Sequence, residues 1–129
     1  MKIYVSKSNC CNPLIAQVLK EQIKGKGHEV LEYKGGRYDP NIVLQSEQVL
    51  FITEDLKEII GKGQHSEFTS AKNKKIPTYL VQSKLDQSQY DKISDLSVKD
   101  IMDSFFFTLI KDVEIVDNND YRKHAKLIL

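Results

Sequence analysis

The chain is 129 residues long, the size of one domain and enough to bury a single core without staples. Its 19 Lys and Arg nearly match 18 Asp and Glu, a net charge of +1, so there is no basic field to draw nucleic acid. The longest apolar run falls far short of the roughly 20 residues that cross a bilayer. The opening Met1-Lys2-Ile3-Tyr4-Val5-Ser6 lacks the apolar stretch of a signal peptide, so a cytoplasmic protein with no membrane partner is expected.

Residues 2–5 read as a buried first strand, and residues 6–12 as a polar loop containing Ser6, Lys7, Ser8 and Asn9. Cys10 and Cys11 are adjacent, a spacing that strains a disulfide, and neither has a CxxC partner. Just before a helix a thiol can titrate low, but no arginine follows at phosphate-loop spacing, so inert reduced thiols are the plainer reading. Asn12-Pro13 marks a helix start: Asn caps, and Pro at the first position has no amide proton to leave unpaired. Leu14, Ile15, Val18, Leu19 and Ile23 form its apolar stripe, and Gly25 and Gly27 end it. Residues 28–33 restart as a strand, completing a strand–helix–strand unit that predicts a right-handed crossover and a parallel sheet.

Residues 35–40 form a loop, with Tyr33, Arg37 and Tyr38 either stacking a base or simply lying on the surface. Residues 41–47 are a short connection of one or two helical turns. Residues 49–53 are a nearly all-apolar third strand, expected at the sheet centre. Residues 54–63 form a loop in which Leu56, Ile59 and Ile60 make a helical turn. A second helix spans residues 64–73, with Lys72, Lys74 and Lys75 near its C-terminal end, where the dipole favours cations. Residues 76–81 are the fourth strand. Beyond it the pattern weakens: one or two surface helices over 83–100, a helix end or buried strand over 104–110, and a hairpin or final strand over 113–129. The whole predicts one α/β domain, a small Rossmann-like or flavodoxin-like parallel sheet with flanking helices. Residues 1–82 form its core and 83–129 a less regular extension.

The chemistry-bearing stretch surrounds Glu67. Gly61 and Gly63 allow a sharp turn and a close ligand approach, and Glu67 falls just inside the helix start. There the dipole holds a carboxylate ionised, suited to a nucleophile or a stabiliser of positive charge. The same position also suits an acid that merely complements the dipole. In open α/β folds this sheet edge holds ligands, and the Ser6, Lys7, Ser8 and Asn9 loop lies on it too, offering donors for phosphate or sugar hydroxyls. His65 edges the same place. His28, His65 and His124 show no spacing that predicts a metal site, and no cofactor is implied.

A parallel α/β core with Gly61, Gly63, Glu67 and Ala71, then Lys75-Ile76-Pro77 leading a strand, resembles the nucleoside 2-deoxyribosyltransferase-like superfamily. Lys2-Ile3-Tyr4-Val5-Ser6 is similar to that family's opening, and the resemblance covers residues 1–82. It implies a nucleoside or nucleotide substrate and chemistry at the anomeric carbon, with Glu67 as the attacking carboxylate. Asp55, and after it Glu54, would protonate the leaving base. It also implies a homo-oligomer. Asp55 lies further upstream of Glu67 than the family's acid does, across an inserted loop, so a non-catalytic nucleotide binder on the same fold is the alternative. A protein-interaction domain is the third reading.

Overall fold

The computed structural model of the chain describes residues 1–8, 11–33, 35, 39–53, 57–116, 119 and 123–129. In chain order, β1 (Lys2–Lys7) is followed by α1 (Pro13–Gly25), β2 (Glu29–Leu31), α2 (Pro40–Leu44) and β3 (Gln48–Ile52). Then come β4 (Ile59–Ile60), α3 (Lys62–Asn73), β5 (Thr78–Ser83), α4 (Gln87–Asp91) and a 3-10 turn (Ile93–Asp95). α5 (Val98–Ser104), β6 (Phe105–Leu109), β7 (Asp112–Ile115) and β8 (Ala125–Ile128) complete the chain.

The central sheet has the order β2-β1-β3-β5-β6. Its first four strands are parallel and β6 runs antiparallel on the edge. This is the α/β, flavodoxin-like arrangement that the strand–helix–strand pattern predicts. Strand alternation divides the side chains into two cores. Ile3, Val5, Leu50, Ile52 and Val81 meet α1 and α5 on one face through Ile15, Leu19 and Ile101. Tyr4, Val49, Phe51 and Leu80 meet Val43, Phe68 and Ala71 of α2 and α3 on the other. Each fully buried Leu or Ile in these layers stabilises by about 1.5–3 kcal/mol relative to exposure. Among the described residues no helix is long and apolar enough to cross a membrane.

α1 starts as its sequence dictates, with the Asn12 side chain accepting the Leu14 N–H at 2.9 Å and Pro13 at the first position. It ends in a double-bonded cap: His28 N–H donates to Ile23 C=O and Gly27 N–H to Lys24 C=O. Gly27 takes the left-handed conformation, φ 86°, that this cap demands. α3 ends in the same cap, Ile76 N–H to Ala71 C=O and Lys75 N–H to Lys72 C=O, but here the left-handed residue is Lys75, φ 61°.

Several boundaries depart from the sequence expectation. Asp39-Pro40 repeats the Asn-Pro start of α1, with the Asp39 side chain accepting the Asn41 N–H, so α2 begins inside the expected loop. Ile59 and Ile60 form a strand, not a helical turn, because they pair antiparallel with Lys126 and Ala125 far along the chain. At residues 104–110 a helix ends and a strand begins: α5 closes at Ser104, and three consecutive phenylalanines continue as β6. The C-terminal part is more regular than its sequence predicts. It supplies the fifth strand of the main sheet and most of a second sheet, β4-β8-β7, whose Ala125 and Leu127 join Phe68 and Ala71 in the core.

Candidate functional site

The buried stripe of α3 is Gln64, Glu67, Phe68 and Ala71, spaced three, four and seven residues along one helical face. Its C-terminal half is apolar and packs in the core with Tyr4 and Phe51. Its N-terminal half is polar and lies over the ends of β1 and β3. Gln64 Nε2 donates to the backbone carbonyls of Ser6 at 3.4 Å and Ile52 at 3.3 Å. Ser6 Oγ donates to Glu67 Oε1 at 3.0 Å, and the Tyr4 hydroxyl bonds the same carboxyl. Ser6 pairs with Phe51 across the β1–β3 ladder. From these two neighbouring strands the chain leaves in opposite directions, toward β2 and toward β5. The polar cluster therefore sits at the topological switch point, where open α/β sheets hold ligands.

Burial pushes the Glu67 carboxyl above the ordinary glutamate range, and the bonds from Tyr4 and Ser6 oppose that rise without cancelling it. Its second oxygen, Oε2, is buried and has no hydrogen-bond partner among the described residues. Gln64 Oε1 and Ser8 Oγ are likewise buried and, among the described residues, unpartnered, although Ser8 N–H extends the ladder to Ile52 C=O at 3.1 Å. Buried polar atoms are normally paired, so three orphans around one sheet edge are an unfilled demand for hydrogen bonds.

This arrangement corrects the electrostatic expectation for Glu67. α3 begins at Lys62, two residues before its expected start, and no acid lies in its first turn. Glu67 belongs to the second turn and faces the sheet, so the helix dipole does not hold it ionised; desolvation favours the neutral form instead. The two glycines also do less than expected. Gly61 caps α3 with extended backbone (φ −86°), and Gly63 is helical with open space where a side chain would project. Neither has the positive φ that only glycine tolerates well.

The other expected site residues divide. Ser6 lies inside β1 rather than in a loop, which is what brings it to Glu67. Lys7 ends β1 with its side chain exposed. Asn9, Asp55 and Glu54 lie outside the described residues, as do Cys10, Arg37 and Tyr38. His65 is half-buried, its ring centroid 5.0 Å from that of His124 at a tilt of 48°. Burial, and then the neighbouring His124, lower its pKa. Cys11 is buried, and desolvation pushes its thiol up to about 11, so it stays protonated near neutrality, as the plainer reading of the cysteines has it.

Tyr4, Gln64 and His124 join the site beyond the residues expected from sequence. Tyr4 stands two before Ser6 on a strand, hence on the same face, and Gln64 stands three before Glu67 on a helix, hence on the same stripe; both periodicities are legible. His124 is different: it reaches His65 because its N–H bonds Ile60 C=O beside the β4–β8 ladder, a long-range pairing without local signature. Among the described residues no group of three or more His, Cys, Asp or Glu is placed to hold a metal ion. No protein-family model, curated protein or solved structure matches the chain.

Proposed function

We propose that the protein cleaves or exchanges the N-glycosidic bond of a nucleoside or nucleotide, with Glu67 as the nucleophile. The observation that carries the reading is the Glu67 carboxyl itself: one oxygen is held by Ser6, and the other is buried and, among the described residues, unpartnered at the switch point of the sheet. A carboxylate oxygen there attacks the anomeric carbon as the carbon–nitrogen bond breaks and its electron pair leaves with the base. The departing base takes up a proton, a role assigned to Asp55. Water or a second base then displaces the sugar from Glu67 and restores the carboxylate. The Tyr4 and Ser6 hydroxyls fix the carboxyl and soften its return to the charged form. The Ser8 hydroxyl supplies a donor for sugar or phosphate oxygens, and Gln64 Oε1 accepts from a sugar hydroxyl. The cytoplasm suits both a nucleotide substrate and a free thiol such as Cys11.

A second reading rests on the upward shift of the Glu67 pKa. A neutral carboxyl donates and accepts, and so recognises a nucleotide hydroxyl or amide without attacking it. Incubation with nucleosides and their monophosphates separates the two. Release of free base that disappears in Glu67→Gln supports the nucleophile; release that persists in Glu67→Gln overturns it. With no release, a rise in melting temperature on adding a nucleotide supports the binding reading by mass action.

A further inference from the structure

Among the described residues no strand pairs with the outer edge of β6, the last strand of the five-stranded sheet. Soluble proteins blunt such edges with charge, proline or a bulge, because free N–H and C=O groups invite pairing. β6 reads Phe105-Phe106-Phe107-Thr108-Leu109, and its ladder to β5 runs without a skipped residue, so it has none of these devices. Phe106, Phe107 and Leu109 are 38%, 46% and 47% exposed, an apolar run that gains by leaving water.

The ladder fixes which backbone groups are free. Lys84 N–H donates to Ser104 C=O and Ile110 N–H to Thr78 C=O, each at 2.8 Å. These bonds turn the even-numbered residues of this stretch toward β5, so Phe105, Phe107 and Leu109 present N–H and C=O outward. We propose that the protein is a homodimer in which β6 pairs antiparallel with β6 of a second copy, about a two-fold axis at Phe107. That register sets Phe107 against Phe107 and Phe105 against Leu109, joining only outward-facing residues. The three side chains share one face of the strand and meet the same three from the other copy. The flanking charges agree with a second copy of this chain as the occupant. Exposed Asp103, in the last turn of α5, lies just before the strand and exposed Lys111 just after it, each four residues from Phe107 in sequence. Antiparallel pairing brings each Asp103 to the partner's end that carries Lys111. The contact is isologous and closes on itself, which removes the open edge from both copies. It is independent of the Glu67 chemistry, since β6 lies beyond β5, away from β1 and β3.

Sedimentation velocity on the full chain is expected to show a dimer. Phe107→Lys sets two ammonium groups face to face at the axis and is expected to give a monomer with an unchanged far-UV circular dichroism spectrum. Should that variant precipitate, Phe107→Cys in a Cys10→Ser background decides the matter. Facing residues of a hydrogen-bonded antiparallel pair lie about 5.5 Å apart at Cα, within disulfide reach. Mild oxidation should therefore cross-link F107C between chains, and leave the exposed-surface control Lys99→Cys uncrosslinked. A monomeric unsubstituted chain, or a dimer that survives F107K, overturns the proposal. So does an F107C chain that forms no intermolecular disulfide.

Discussion

Ser6 Oγ donates to Glu67 Oε1 at 3.0 Å across 61 residues of sequence, and both side chains are buried. The bond ties the C-terminal end of the first strand to the inner face of α3, and makes one polar unit of two residues that sequence places only on a common sheet edge. Glu67 is raised above its ordinary value of 4.5 by burial, so the folded protein keeps a proton that the unfolded chain has released. Stability then falls as pH rises, because the native state binds more protons over that interval. The contribution is full below about 4.5 and is lost as pH climbs through the raised folded value. Glu67→Gln, which keeps the shape and stays neutral, is expected to flatten this slope. Its melting temperature should match the parent chain near pH 4 and exceed it at pH 7, measured by thermal denaturation across the range.

Ser6→Ala tests the other half of the pair. Loss of the hydroxyl removes one hydrogen bond to the carboxyl and is expected to cost about 1 kcal/mol of stability. It also removes a bond that favours the charged form, so the Glu67 pKa rises further. If Glu67 attacks as a carboxylate, the pH profile of base release moves to higher pH in Ser6→Ala. A profile that keeps its midpoint while losing amplitude would show Ser6 to act on substrate rather than through Glu67.

Lys75 and Gly27 form a natural comparison, because both occupy the left-handed position of the same helix cap. The conformation costs an L-residue about 1–2 kcal/mol, from which glycine is exempt, while glycine loses more backbone entropy on folding. Lys75→Gly is therefore expected to stabilise by about 0.5–1 kcal/mol. Gly27→Ala is expected to destabilise by about 1 kcal/mol. Among the described residues nothing lies within 4 Å of a side chain added at Gly27, so its cost is conformational and not steric. Urea denaturation of both variants measures the two changes, with opposite signs expected.

What could be read in the sequence follows the range of the forces involved. Asn12-Pro13 and Gly27 act within a few residues, and the ends of α1 follow from them. The consecutive buried runs of β1 and β3 and the helical stripe of α1 likewise define the parallel sheet. Glu67 is legible as a site residue, but its buried, desolvated environment is not what a first-turn position implies. The spacing Gln64, Glu67, Phe68, Ala71 places it on the inward face, which a first-turn assignment overlooks. Pairings across many residues left no such mark. Ile59 and Ile60 are too few to show a strand period, and only Ala125 and Lys126 make them one. His124 entered the neighbourhood of His65 by that same route.

His65 supplies the last expectation, with a slope opposite to that of Glu67. Burial, with a smaller contribution from His124, lowers its pKa below the ordinary 6.5, so the folded protein resists protonating a ring that the unfolded chain protonates readily. The unfolded state then binds more protons between the lowered value and 6.5, and stability rises with pH over that window. The contribution is present above 6.5 and is lost as pH falls through the folded value. His65→Gln retains a polar side chain that cannot titrate. It is expected to lessen the loss of stability on acidification below 6.5 and to leave the Glu67-dependent slope in place. Melting curves of His65→Gln, Glu67→Gln and the double variant separate the two, since groups that titrate independently contribute additively. A double variant whose acid response departs from the sum of the singles would show the two groups to be coupled through the packing of α3.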